Sequence, residues 1–170
     1  MTELNSERLV LKPIRFLRFD DLRQMDTDPE VMKYIATGRT KTREESLAWM
    51  EKVNLHWSQH GYGMMAAYMR ETGEFVGLAG VKNLDGTDLP EIGYRFCKKF
   101  WGMGLATEVC KRLIVYAFES LKFDKLVAVA IPENLASNHV LKKCGFIFKK
   151  TAYFYDTEVN YYELNPKNNT

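Results

Sequence analysis

Residues 91–131 change character three times, and the order of the changes restricts the fold. Glu91 to Cys97 reads as a strand. Phe100-Trp101-Gly102-Met103-Gly104 follows as a turn with two glycines. Leu105 to Leu121 then carries Leu105, Val109, Leu113, Ala117 and Leu121 on one helical stripe, widened by Cys110, Ile114 and Phe118. Lys125 to Ile131 is almost wholly apolar, the pattern of a strand covered on both faces. Pro132-Glu133-Asn134 ends it, and a short helix from about Ala136 to Lys143 stops at Gly145. Phe146 to Tyr155 and Val159 to Leu164 read as a closing antiparallel pair.

Earlier residues supply helices and a meander. Arg8 to Ile14 is a strand, and Asp20 opens a helical pattern through Leu22 and Met25. Asp28-Pro29-Glu30 is a helix start, with Asp as cap and Pro at the first position. Val31, Met32, Tyr34 and Ile35 give its apolar face. Thr42-Arg43-Glu44-Glu45 is a capping box opening a longer helix striped by Leu47, Trp49, Met50, Val53 and Trp57 and closed by Gly61. Tyr62 to Met69 and Glu74 to Val81 form a hairpin about Glu71-Thr72-Gly73. The whole is mixed α/β.

The chain has 170 residues, which fits one domain: 1–164 as a single unit and 165–170 as a flexible tail. Lysine and arginine number 24 against 22 acidic residues, a near balance that argues against a nucleic-acid binder. No apolar run is long enough to cross a bilayer, and the start has neither a basic region nor an apolar stretch. Cys97, Cys110 and Cys144 lack a C-x-x-C, so neither a disulfide framework nor a cysteine zinc site is expected, and a reducing cytoplasm is. His56 and His60 have the i, i+4 spacing of a metal pair. No further ligand completes a site, so no metal is expected.

Gly102 and Gly104 remove side chains where the backbone turns tightly. The first amides of the following helix lack internal partners and sit at the positive end of its dipole. Together they suit a pyrophosphate; the alternative is a glycine-rich connection that binds nothing. A Walker loop is absent. A Rossmann fingerprint would need a third Gly or Ala where Glu108 stands. An extended nucleotide-like ligand lying along the preceding strand fits better.

The run Phe100 to Glu108 resembles the acyl-coenzyme A pyrophosphate loop of the GNAT N-acetyltransferases, in the form typical of the RimJ/RimL branch. Ser6 to Leu11, Asp28 to Met32, Gly73 to Gly77, Glu91 to Tyr94, Pro132 to Asn138 and Val140 to Phe146 resemble other blocks of that branch in the expected order. Lys99 departs from it, standing where Arg or Gln is common. The resemblance implies a central, mostly antiparallel twisted sheet of about seven strands flanked by helices. Its fourth strand bulges and splays from the parallel fifth.

It also implies an acetyl-coenzyme A-dependent N-acetyltransferase, acting by direct attack in a ternary complex. The acceptor would be a protein N-terminus or a small-molecule amine, with no nucleic acid or membrane partner, and the chain would be a monomer or homodimer. The pantetheine arm would lie in the splay, facing backbone amides of Arg95, Phe96 and Cys97. Gly102, Met103, Gly104, Leu105, Ala106 and Thr107 would hold the pyrophosphate, and Asn134 the pantetheine. One of Lys142, Lys143, Lys149 and Lys150 would meet the 3′-phosphate. Cys97 lies near the thioester, but direct transfer is preferred to an acyl-cysteine.

Catalytic expectations fall on three residues. Glu91 would be the base, acting through water, or else a structural carboxylate or a charge partner for the substrate. Ser137 would protonate the thiolate, or else cap a helix. Tyr94 would supply a hydroxyl, or else pack. Tyr153 and Tyr155 would flank the acceptor or stabilise the last strands. Trp49 and Trp57 would be core or acceptor-pocket wall. An acyl-coenzyme A binding or sensing module without catalysis is the alternative function, with a dinucleotide domain behind it.

Overall fold

A computed structural model describes residues 2–166 of the chain. Positions 167–170 of the expected tail lie outside the described residues. One eight-stranded sheet runs through the molecule in the order β1-β2-β3-β4-β5-β6-β8-β7. The strands are β1 (Leu4–Asn5), β2 (Leu9–Pro13), β3 (Met64–Met69), β4 (Phe75–Asn83), β5 (Pro90–Phe96), β6 (Leu126–Ala130), β7 (Ile147–Phe154) and β8 (Thr157–Leu164). The extra strand relative to expectation is β1, which pairs with Val10 and Leu11. Two residues are too few to show an alternation, so it had no signature in the sequence.

All pairings are antiparallel except β5 with β6, which touch in register only at Glu91 and Val127. Beyond that bridge the two strands diverge. The expected splay is therefore present. The expected bulge is not in β5, whose ladder with β4 runs without a shift from Gly77–Phe96 to Asn83–Pro90. It falls between β3 and β4, at Ala67 and Tyr68.

Two layers cover the sheet. On one face lie α1 (Phe19–Asp26), α2 (Pro29–Met32) and α3 (Arg43–His60). Their core includes Leu22, Met25, Val31, Val53, Met64, Ala66 and Leu78. The second face is covered by α4 (Leu105–Val115) and α5 (Leu135–Lys143), over Ile92, Phe96, Val109, Leu113, Ala117, Ala128 and Leu141. Side chains alternate along β5, so Glu91, Gly93 and Arg95 face the α1–α3 layer while Ile92, Tyr94 and Phe96 face α4.

Local chemistry sets the helix ends. Thr42 Oγ1 accepts from Glu45 N and the Glu45 carboxylate accepts from Thr42 N, completing the capping box. Gly61 closes α3 at φ 74°. Asp28 caps α2, which lasts only from Pro29 to Met32, so Tyr34 and Ile35 fall after its end. The α3 stripe differs at one place. Leu47 is 43% exposed, while its neighbour Ser46 is buried because its hydroxyl donates to Asp26 Oδ2 at 2.5 Å. The long helix is α-helical only to Val115 and passes into a wider π turn over Tyr116–Ser120, which buries Tyr116 and Ala117. Among the described residues, no helix is long and apolar enough to cross a membrane.

Candidate active site

The splay opens into a cleft of about 740 Å³, walled by α2, α3, β4, β5, β6 and the start of α5. Glu91, Tyr94, Arg95, Asn134, Ser137 and Tyr155 all line it. It thus gathers the expected catalytic trio in one place.

The glycine loop has the expected conformation. Gly102 and Gly104 adopt φ 74° and 77°, which favour glycine. Gly104 is the N-cap of α4 and offers no side-chain cap. Among the described residues, the first amide after Trp101 to make a main-chain bond is Glu108, to Gly104 O. The amides of residues 102–107 make no main-chain hydrogen bond among the described residues and sit at the positive end of α4, an arrangement that suits an anion.

A second layer props this loop. Glu108 turns away from it and accepts from Ser6 Oγ at 2.6 Å, Arg8 N at 2.7 Å and Arg8 Nε at 2.7 Å. Arg8 Nη1 in turn donates to Met103 O at 2.8 Å. Burial raises the Glu108 carboxyl, but the Ser6 and Arg8 hydrogen bonds outweigh it and hold it below its ordinary value. The residue that argued against a Rossmann loop is thus the anchor of this one. Lys99 pairs with Glu74 on the surface and takes no part in the loop.

The expected strand amides need correction. Cys97 N donates to Val76 O at 2.9 Å, so it faces β4. Donors alternate along an antiparallel ladder, so Arg95 N also faces β4. Phe96 and Tyr94 present their amides to the opening instead. Trp101 Nε1 confirms the direction by donating to Phe96 O at 2.8 Å. Burial pushes the Cys97 thiol up to about 11, so it is protonated and a poor nucleophile at neutral pH.

Tyr94 and Ser137 meet across the cleft, their hydroxyl oxygens 3.3 Å apart. Burial raises the Tyr94 phenol well above its ordinary range, so it remains a proton donor. Asn134 is the N-cap of α5, its Oδ1 accepting from Ser137 N at 3.2 Å. Its Nδ2 makes no hydrogen bond among the described residues. The cap reading of Ser137 is thus corrected: Asn134 is the cap, Ser137 lies one turn inside α5 as the capped residue, and its hydroxyl lines the cleft.

Glu91 is buried, its side chain 5% exposed. Lys82, opposite it on β4, places Nζ 2.8 Å from Glu91 Oε2. The Tyr155 hydroxyl donates to the same carboxylate oxygen and also touches Lys82 Nζ. Burial and then the Glu91 charge push the Tyr155 phenol far up, so it stays protonated. Tyr155 and Asp156 form the β7–β8 turn with φ 55° and 59°, the primed geometry that suits a tight hairpin. For a tyrosine this conformation is strained, and its contacts with Glu91, Lys82 and Asp85 hold it. Tyr153 instead points outward, 70% exposed.

The sequence reading missed Lys82 and the wall beyond Gly93. Arg95, expected only as a backbone donor, buries its guanidinium beside Asp26 at 2.8 Å and over Trp49. Both His56 nitrogens are engaged, Nδ1 with Tyr62 O at 2.8 Å and Nε2 with Asn83 N at 3.3 Å. With Asn83 N donating to Nε2, Nδ1 is the nitrogen that donates to Tyr62 O. Lys142, Lys143, Lys149 and Lys150 are exposed, and Lys150 lies over the Tyr161 ring.

Residues 8–147 match the acetyltransferase (GNAT) domain family. The FsC-acetyl coenzyme A-N(2)-transacetylase of Aspergillus fumigatus is 34% identical over 166 residues, covering 91% of this chain and 69% of that protein. An acetyltransferase structure from Agrobacterium tumefaciens superposes with TM-score 0.85 at 25% identity, covering 97% of this chain and 95% of that one. RimL, a ribosomal alpha-N-protein acetyltransferase solved in complex with coenzyme A, shares the fold with TM-score 0.76 at 17% identity, covering 96% and 98%. A family match over that much of the sequence, with a relative so similar along nearly all of it, settles the matter: this chain belongs to the GNAT acetyltransferases, enzymes that move an acetyl group from acetyl-coenzyme A to an amine.

Proposed function

We propose that the acetyl group passes directly to an amine held in the same cleft, and that the coenzyme and acceptor enter from opposite sheet faces. The observation that carries this reading is the single-bridge contact of β5 with β6. It opens a passage between the α4 face, where the loop amides lie, and the α1–α3 face, where Glu91 and Arg95 point.

Acetyl-coenzyme A fits the residues present, since amides 102–107 suit its pyrophosphate and the opened β5 edge suits its amide-bearing arm. When bound, it supplies the activated thioester carbonyl. The Tyr94 amide polarises that carbonyl from the β5 edge, and the Phe96 amide, about 6.6 Å further along, meets a carbonyl of the arm. Glu91 takes the proton of the attacking amine through water, while Lys82 and Tyr155 fix its carboxylate. Ser137, backed by the Tyr94 hydroxyl, supplies a proton to the departing sulfur. The acceptor is a small-molecule amine or a protein N-terminus.

The test separates binding from turnover. Isothermal titration with acetyl-coenzyme A should show micromolar-range binding to wild type and none to Gly104→Trp. Thiol release with amine acceptors should fall about 10²-fold or more in Glu91→Gln and in Ser137→Ala with coenzyme binding retained. Normal turnover in both variants would overturn the assigned roles, and normal coenzyme binding by Gly104→Trp would overturn the loop.

A further inference from the structure

The cleft continues past the reacting centre along the α1–α3 face of β5. Glu91 and Arg95 point to that face and stand about 13 Å apart along the strand, at ~3.3 Å per residue. Gly93 lies between them and contributes no side chain to the floor. One end of this trough holds the Glu91 carboxylate with Lys82 and Tyr155. The other end is built differently.

At that end, Arg95 is buried on a wall formed by Met32 and Trp49. Its Nη1 donates to Met32 Sδ and lies 2.8 Å from Asp26 Oδ1, an ion pair without hydrogen-bond alignment. Its Nη2 is buried with no partner at all. Asp26 is itself engaged through Oδ2 by Ser46, whose hydroxyl also accepts from Arg23. Lys41 also stands over the Trp49 ring, 5.5 Å from its centroid, and lines the same cleft. Burial, then the Arg95 charge, lowers the Lys41 ammonium to about 8. Arg39 and Glu45, which also line the cleft, pair with each other at 2.5 Å; the Glu45 charge favours the Lys41 ammonium less than Asp26 does, and Arg39 opposes it.

Two cations thus meet one tryptophan ring; Asp26 pairs with Arg95, and among the described residues no carboxylate forms an ion pair with Lys41. Buried charge of that kind is costly without a counter-ion. We infer that the Lys41–Arg95 end of the trough binds an anionic group carried by the acceptor, a carboxylate or a phosphate, while the acceptor's amine lies toward Glu91. This inference rests on the acetyl-transfer reading of the same cleft and narrows it to amines bearing an anion. The anion contacts Lys41, and Arg95 supplies the fixed charge behind it.

The test uses matched pairs that share the amine-bearing skeleton and differ in the anionic group, with the N-acetyl forms removing any difference in amine basicity. Glycine, leucine and glutamate are compared with their carboxamides, and O-phosphoethanolamine with ethanolamine. Thiol release gives kcat/KM for each. Calorimetry with the coenzyme A-bound protein gives the affinity of the N-acetyl form of each. At least one anionic member should exceed its neutral twin by about tenfold or more, the scale of a charge-assisted hydrogen bond. The carboxylate and phosphate arms show which anion is meant. Lys41→Met should reduce the ratio to about one, and Arg95→Met should do the same if it folds; Lys41→Met decides the matter if it does not. Neutral twins that equal or beat the anions in both readouts, absent binding of every anionic probe, or a ratio that persists in Lys41→Met would overturn the inference. A separate acetyl-coenzyme A titration keeps the two readings apart: lost coenzyme binding sinks the acetyl-transfer reading, whereas intact binding without anion preference sinks only this one.

Discussion

Lys82 faces Glu91 across the β4–β5 ladder with its ammonium 2.8 Å from the carboxylate, and Tyr155 donates to the same oxygen. Removing the lysine would leave a carboxylate charge in a site where the Glu91 side chain is 5% exposed. Breaking a fully buried pair costs about 3–5 kcal/mol, and here the partly exposed lysine lowers that to roughly 2–3 kcal/mol. Lys82→Met should lose that stability in urea unfolding. The double variant Lys82→Met with Glu91→Gln should recover most of it, because the stranded charge is gone. A double variant no more stable than Lys82→Met would show that the lysine acts through packing.

The Arg8–Glu108 pair makes a different prediction, since it touches the loop proposed to hold the coenzyme from behind. Arg8→Ala removes the donor to Met103 O and loosens the amides on either side of it. The expected effect is a roughly tenfold rise in acetyl-coenzyme A Kd, about 1–2 kcal/mol, with kcat at saturation little changed. Glu108 also carries an acid signature. Its folded pKa lies below its ordinary 4.5, so the stability it contributes is complete above that value and is lost as pH falls through the folded one. Glu108→Gln should therefore flatten the acid side of the stability curve below about pH 4.5, read by thermal melting across pH.

Much of this molecule was legible in its sequence, and the parts that were not share a cause. The capping box at Thr42, the positive-φ glycines at 102 and 104, and the apolar β6 are local signals, set by neighbours in the chain. The loop amides followed from these alone. Lys82, Asp26 and the side chain of Arg95 were not visible, because their meaning depends on residues brought across the sheet. Lys82 gains its role only from the β4–β5 register, and Asp26 only because the end of α1 is brought against Arg95 of β5. Arg95 and Cys97 were misjudged as cleft-facing amides because the parity of a ladder cannot be read until one of its hydrogen bonds is known. Tyr155 was named without its partner, since a tyrosine at positive φ has no sequence signature.

Lys41 gives a pH prediction with the same direction of slope as Glu108, in a more alkaline window. Its folded value of about 8 lies below the ordinary 10.5, so the folded state resists the proton that the unfolded chain takes up. The resulting penalty is fully present below about 8 and fades as pH rises toward 10.5, so stability should climb across that window. Lys41→Met should stabilise the free protein at pH 7 and abolish that climb. Melting temperatures of both proteins at intervals from pH 7 to pH 10.5 would check it. Parallel curves would show that the ammonium pays no burial penalty.

Gly93 separates the fold from the acceptor site. A Cβ there would lie 3.4 Å from Lys82 Cε and 3.9 Å from Met64 Sδ, ordinary contact distances. Alanine therefore fits the strand, and losing a glycine from the unfolded chain should stabilise by about 0.4–1 kcal/mol. The added methyl nevertheless projects onto the α1–α3 face, into the trough between Glu91 and Arg95. Gly93→Ala should keep acetyl-coenzyme A binding, because the loop amides lie on the other face. It should raise the KM for the amine several-fold, and Gly93→Val should raise it further. Equal loss of coenzyme affinity and acceptor KM would mean that the two ligands do not occupy opposite faces of β5.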